Sequence, residues 1–173
     1  MDTDMRYKIF LLLLSFFLMS FNFFKMSPVE YAAKECTKVS SFLCNKLNLV
    51  QIGTGGSAPN GVINYETFVF KKTGQYSIAE ARKMLLEAAE VYLKTMNSCE
   101  KIRHAMIKYP FDAMNCDIEI FFYNPDGSEP LHPYISYACI FNGELVYRSY
   151  KDLRNPILTK VQFIETHQEA IER

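Results

Sequence analysis

Apolar residues recur at steps of three or four from Ile78 to Met106, in a stretch flanked by charged side chains. The stretch starts with Ser77-Ile-Ala-Glu80, in which the serine caps the helix N-terminus and the glutamate bonds back to the serine amide. This pattern predicts one long amphipathic helix, kinked near Asn97-Ser98 and ending before Tyr109-Pro110. An amphipathic helix of this length must bury its apolar side against a sheet or other helices.

After Pro110 the apolar period falls to two, which predicts the three strands Asp117–Tyr123, Tyr134–Phe141 and Glu144–Tyr150. The pair Asn142-Gly143 is the preferred turn of a two-residue hairpin between the last two strands. This turn fixes the register, which places Phe141 opposite Glu144, Cys139 opposite Val146 and Tyr137 opposite Arg148.

The register divides the hairpin side chains between two faces. One face carries Tyr134, Ser136, Ala138, Ile140, Leu145 and Tyr147. Its small residues suit close helix packing, so we expect the long helix to lie on this face. The other face carries Ile135, Tyr137, Cys139, Phe141, Val146 and Tyr150. That second face is too apolar to be simply hydrated, so we expect the first helix, the last helix or a partner to cover it. Its candidate binding residues are Tyr137, Phe141 and Tyr150.

Further elements flank this core on both sides. Ser27-Pro28-Val-Glu30 is a capping box that starts a helix running to about Lys46. Gln51–Asn64, rich in glycine, is interpreted as a connector, and Tyr65–Lys72 as a short strand. The segment after Asn155-Pro156 fits a helix, although alternation within Thr159–Thr166 fits a strand equally well.

These elements predict an α+β domain in which the long helix packs on a three- to four-stranded antiparallel sheet, with flanking helices at both ends. A strand, a long helix and an antiparallel meander follow one another in a cystatin-like order. Gln51-Ile-Gly-Thr-Gly55 resembles the Gln-x-Val-x-Gly turn of cystatins, but Gly53 occupies the valine position and the turn precedes the helix. The similarity is therefore one of topology alone and implies no function.

The N-terminal segment predicts export. Ile9–Phe24 is an uncharged, Phe- and Leu-rich run that follows Arg6 and Lys8, which is the arrangement of a signal peptide or an uncleaved signal anchor. Small residues suited to cleavage are missing behind it, which favours an anchor. We therefore expect residues 1–26 to be a membrane-targeting helix and 27–173 an exported domain, tethered outside the cytoplasm or secreted.

Charge and cysteine content narrow the function classes. Lys and Arg together equal Asp and Glu, at 19 each, so no basic surface is available for nucleic acid. The five cysteines form no Cys-x-x-Cys pair, which argues against zinc-ribbon and thioredoxin sites. We interpret them as small buried apolar residues, with room for one disulfide in an oxidising compartment.

Candidate catalytic residues are few. His132 lies in a predicted loop near Asp126 and Glu129, where an acid–base or thiol site could form. Glu100 and His104 are four residues apart but lack a third metal ligand, and Gly53–Ser57 lacks the lysine of a P-loop.

The sequence thus predicts no cofactor, metal or catalytic site. The leading hypothesis is a non-enzymatic, membrane-tethered or secreted cell-envelope protein that binds a protein or small ligand. The alternatives are an exported hydrolase or thiol enzyme using His132, and a structural subunit of an envelope assembly.

Overall fold

The structure, a computed structural model, describes residues 26–155 and 160–173. This part of the chain is an α+β domain with one six-stranded mixed sheet and four α-helices. The helices are α1 (Pro28–Leu47), α2 (Ile78–Ser98), α3 (Glu100–Arg103) and α4 (His167–Ile171). The strands are β1 (Val50–Ser57), β2 (Tyr65–Thr73), β3 (Cys116–Tyr123), β4 (Tyr137–Phe141), β5 (Glu144–Tyr150) and β6 (Lys160–Thr166).

The strands lie side by side in chain order, from β1 to β6. The β2–β3 pair is parallel, and α2 lies in the crossover between these two strands. All other neighbours are antiparallel. The helix α2 packs across β3, β4 and β5, while α1 packs on α2 and β1, and α4 on α2 and β6.

Both predicted capping boxes form. In α2 the Glu80 amide donates to Ser77 Oγ at 3.3 Å, and the Ser77 amide donates to Glu80 Oε2 at 2.8 Å. The helix is shorter than the prediction, because it ends at Ser98 and Cys99 has extended backbone before the single turn of α3. The predicted kink near Asn97-Ser98 is therefore a break in the helix. The Asn97 side chain forms two hydrogen bonds with the Phe111 backbone: Asn97 Nδ2 donates to the Phe111 carbonyl, and the Phe111 amide donates to Asn97 Oδ1.

The prediction of a three- to four-stranded antiparallel sheet was wrong in strand number and in strand direction. Gln51–Asn64, interpreted as a connector, contains strand β1, which pairs with β2 through a bulge between Gln51 and Gly53. A Cβ on Gly53 would lie 3.2 Å from the Val69 Cβ, so glycine here permits a close approach of the two strands. The segment Lys160–Thr166 is a strand, as one of the two sequence interpretations had it.

The predicted hairpin register is confirmed: Tyr137 pairs with Arg148, Cys139 with Val146 and Phe141 with Glu144. Its helix-facing side is also confirmed, since Ala138, Ile140, Leu145 and Tyr147 are at most 1% exposed. The face assignment fails before Tyr137. Here the chain departs from the regular strand, so Ile135 is buried and bridges to Tyr76, whereas Tyr134 is 41% exposed.

The apolar run Ile9–Phe24 lies outside the described residues, so the predicted membrane-targeting helix stays a prediction. Among residues 26–155 and 160–173, the helices are all too short or too polar to cross a membrane.

Candidate functional site

The helices cover one face of the sheet, and the opposite face, here called the open face, carries three rows of side chains that run across the strands. The strand register aligns Lys71, Phe121, Tyr137, Arg148 and Gln162 in the first row. The middle row is Val69, Glu119, Cys139, Val146 and Ile164. The third row contains Thr67, Asp117, Phe141, Glu144 and Thr166.

The open face exposes more apolar surface than a solvated sheet face usually does. Phe141 is 46% exposed and Ile164 is 49% exposed, and Tyr137, Val146 and Tyr150 are half-buried. A sheet face that contacts only water carries mostly polar side chains. Two of the three predicted binding residues, Tyr137 and Phe141, lie within the rows, and Tyr150 follows Arg148 on the same face of β5.

An aromatic and cationic stack runs along the first row of this face. The rings of Phe121 and Tyr137 are 5.0 Å apart, and the Arg148 guanidinium lies 4.8 Å from the Tyr137 ring centre. The Tyr137 hydroxyl donates to Glu119 Oε2 at 3.1 Å. Within the described chain, the buried Nε of Arg148 has no hydrogen-bond acceptor. This guanidinium is therefore stacked on an aromatic ring while part of its hydrogen-bonding capacity is unused.

Charge is distributed unevenly between the rows. The first row carries the cations Lys71 and Arg148, and the third row carries the carboxylates Asp117 and Glu144. Thr67 donates to Asp117 Oδ2 at 2.8 Å, and partial burial raises the pKa of this carboxyl above its usual value. The open face is thus basic along one end, acidic along the other and mostly apolar between them.

His132 contacts a serine, among the residues that the structure describes, and not a carboxylate or a thiol. Its Nδ1 lies 3.4 Å from the Ser149 hydroxyl, and no carboxylate or cysteine of the described residues bonds to its ring. The side chain is exposed on the loop before β4. Residues 26–155 and 160–173 also bring no three metal-ligating side chains together, so Glu100 and His104 gain no third ligand.

All five cysteines are free thiols. Cys36, Cys116 and Cys139 are buried, and burial raises the pKa of each thiol. A thiol with a raised pKa is a poor nucleophile. The arrangement favours the interpretation of these cysteines as packing residues.

A second feature lies on the helix side of the sheet and was missed by the sequence analysis. Glu66 of β2 points into a cleft of about 300 Å³ between α1 and β1. Desolvation raises the pKa of its carboxyl to about 7. The sequence did carry a signal for it. Residues 66, 68 and 70 of a strand lie on the same face, and Phe68 and Phe70 belong to the core, so the Glu66 carboxylate must lie on the core side of the sheet.

We expect Glu66→Gln to remove a pH dependence of folding stability. A glutamate in the unfolded chain ionises near pH 4.5 and Glu66 in the folded chain near pH 7. Between these values folding binds a proton, so the stability contribution is complete below pH 4.5 and is lost as pH rises through 7. Because the carboxyl is partly hydrated, we expect Glu66→Gln to be roughly 1–2 kcal/mol more stable than the parent chain at pH 8.

Urea unfolding at pH 4 and pH 8 checks this expectation. At pH 4 the variant and the parent chain should have nearly equal free energies of unfolding. Glu90→Gln, on the exposed side of α2, is the control and should show no such divergence. Equal stability differences at the two pH values would contradict the burial of Glu66.

No family model, curated protein or solved structure matches this chain.

Proposed function

We propose that this chain is a non-enzymatic binding domain of the cell envelope that docks through its open face onto the same face of a second copy. The observation that carries the proposal is the exposed apolar surface of the open face, at Phe141 and Ile164 above all, together with the cations of its first row and the carboxylates of its third row. Contiguous apolar surface of this kind is typical of protein interfaces.

The rows are self-complementary under a two-fold rotation. The required axis lies between the two sheets and runs along the middle row. It lays the basic row of one copy on the acidic row of the other. Arg148 then faces Glu144 of the second copy, because both residues lie on β5. Such an isologous contact closes after two subunits and gives a dimer.

The size of the face supports a dimer of moderate strength. Six strands about 4.8 Å apart and three rows along the strands cover roughly 600 Å² per copy. Two copies would bury about 1,200 Å² in total, near the lower bound of stable specific interfaces. The middle row of one copy lies on the middle row of the other, so Val146 faces Val146 and Ile164 faces Ile164 of the second copy.

Paired charge variants test this arrangement in the full-length chain. Arg148→Glu makes both ends of the β5 face acidic, and Glu144→Arg makes both ends basic. We expect each variant to lose self-association at least about tenfold, because like charges then face each other across the axis. A mixture of the two variants should associate again, since every facing pair is then of opposite charge.

Co-purification of co-expressed, differently tagged chains measures all of these pairings. Recovery of the mixed dimer also shows that both variants are folded. Lys83→Glu, an equal charge reversal on α2, should pair like the parent chain. Glu119→Gln should tighten the dimer, because the two Glu119 carboxylates approach each other at the axis. Self-pairing of Arg148→Glu at the parent level, or failure of the mixture, would overturn the proposal.

The cellular location belongs to the same proposal. Ile9–Phe24 supports a tether that leaves the domain outside the cytoplasm, and two tethered copies would meet more often than free ones. Fractionation of the full-length protein, with its mature N-terminus read by mass spectrometry, tests this part. Recovery of an intact N-terminus in the soluble cytoplasmic fraction would contradict it.

A further inference from the structure

The cleft beside Glu66 lies on the opposite side of the sheet from the open face. Cys36 and Thr37 of α1 form one wall, Gln51 and Thr54 of β1 form the other, and Glu66 lies between them. Its volume of about 300 Å³ is at the small end of the range of small-molecule sites.

The cleft depends on a glycine opposite its carboxylate. Gly56 pairs with Glu66 across the β1–β2 ladder. A Cβ on residue 56 would lie 2.5 Å from Glu66 Oε2 and 3.0 Å from the Tyr65 carbonyl oxygen. A larger residue at position 56 would displace the Glu66 carboxylate. The missing side chain of Gly56 thus makes room for this carboxylate.

The polar side chains of the walls already have partners inside the chain. The Thr37 hydroxyl donates to the Ala33 carbonyl at 3.0 Å, and the Thr54 hydroxyl donates to the Thr67 carbonyl at 3.2 Å. Gln51 Oε1 accepts from the Ser40 hydroxyl at 2.5 Å. Among the described residues, by contrast, no side chain donates to the Glu66 carboxylate. A partly buried carboxylate without donors is costly, and a ligand that supplies them lowers that cost.

We propose that this cleft binds a small organic cation, whose primary ammonium group donates to the Glu66 carboxylate while its short chain lies between α1 and β1. The ammonium supplies both the opposite charge and the hydrogen-bond donors that the cleft lacks. The narrow volume restricts the ligand to a compact amine.

Binding of such a cation depends on pH in one direction. Three titratable groups of the described residues lie near Glu66: the Cys36 thiol of α1, the Tyr92 hydroxyl of α2 and the Cys116 thiol of β3. Burial raises the pKa of each, so these groups stay neutral near pH 7. Ionisation of Glu66, with a pKa of about 7, is thus the change that a cation senses. Binding favours the ionised form and releases a proton, so affinity rises with pH.

The test is calorimetric titration of the full-length chain with n-butylamine at pH 6 and pH 8, with n-butanol as the uncharged probe. We expect binding of n-butylamine to strengthen roughly fivefold to tenfold between the two pH values, as ionisation of a group with a pKa near 7 requires. Glu66→Gln should lose this binding, and Glu90→Gln should keep it. No binding of n-butylamine, equal binding of n-butanol, or unchanged binding to Glu66→Gln would overturn the proposal. None of these results bears on self-association, because that uses the other face of the sheet.

Discussion

Replacement of Glu165 by alanine is expected to cost about 3 kcal/mol of folding free energy, among the largest single effects in this domain. Glu165 is 3% exposed and accepts from Arg82 Nε at 2.6 Å and Arg82 Nη2 at 3.0 Å. It also accepts from the Tyr147 hydroxyl at 2.7 Å, and Arg173 lies 3.4 Å away. Alanine would leave the guanidinium of Arg82 and the Tyr147 hydroxyl without their shared acceptor in a nearly dry site.

Two comparisons separate the buried pair from surface charge in general. Arg82→Met combined with Glu165→Leu and Tyr147→Phe should recover most of the lost stability, since apolar residues can replace a buried ion pair once the Tyr147 hydroxyl that shared its acceptor is also removed. Lys38→Ala breaks the exposed contact with Glu35 and should cost less than about 1 kcal/mol. Free energies of urea unfolding at one protein concentration measure all three. A loss for Glu165→Ala no larger than that for Lys38→Ala would show that the buried pair contributes little.

Phe68→Ala is expected to cost about 3–5 kcal/mol, because it removes a fully buried ring from the centre of the core. Phe68 on β2 is 0% exposed, and its ring meets the Tyr92 ring edge-on at 5.7 Å. Phe70 lies 6.2 Å away on the same strand. The β2–β3 pairing holds the backbone in place, and α2 is held by its own packing on the sheet. The cavity that Phe68→Ala leaves therefore cannot collapse easily.

Phe42→Ala is the matched control for that substitution, since Phe42 is 48% exposed on α1. We expect it to change the unfolding free energy by less than about 1 kcal/mol. The midpoint of thermal unfolding and the urea midpoint should report the same order of stability. If Phe68→Ala and Phe42→Ala were equally stable, β2 would not be the core strand that the structure describes.

Local signals in the sequence were enough for the elements that carry their own start, stop and period. The two serine capping boxes predict α1 and α2, and Asn142-Gly143 predicts the β4–β5 hairpin with its register. The helix-facing side chains of that hairpin follow from alternation alone. Each of these decisions depends on residues that are close together in the chain.

The elements that the sequence did not reveal are those decided by distant partners. Strand β1 contains glycines at 53, 55 and 56, which favour a loop locally, and it is a strand because β2 lies beside it. Strand β6 has helical and extended patterns superimposed, and pairing with β5 selects the extended form. The Arg82–Glu165 contact joins residues 83 positions apart, so no local pattern could predict it.

The candidate site was predicted only in part for the same reason. The alternation within one hairpin predicts Tyr137 and Phe141 as binding residues, and both lie on the open face. The acidic and basic rows form only when β2, β3 and β6 join the hairpin in one sheet. No short segment of the sequence predicts those strand pairings. The cleft at Glu66 is formed by strand β1 and helix α1, which are distant in the chain, so the β2 segment alone does not predict it.

The parallel contact between β2 and β3 has a consequence for the order in which the chain can be assembled. Glu66 pairs with Cys116, fifty residues later, whereas the β4–β5 pair closes across two residues. Closing a loop of fifty residues costs about 3.5 kcal/mol of chain entropy by the logarithmic rule. That cost is offset only when α2 settles on the sheet, so the hairpin β1–β2 and the meander β3–β6 are two local units that this one helix joins. The β2–β3 pair at the centre of the sheet is thus the contact through which the two halves of the chain form one cooperative structure.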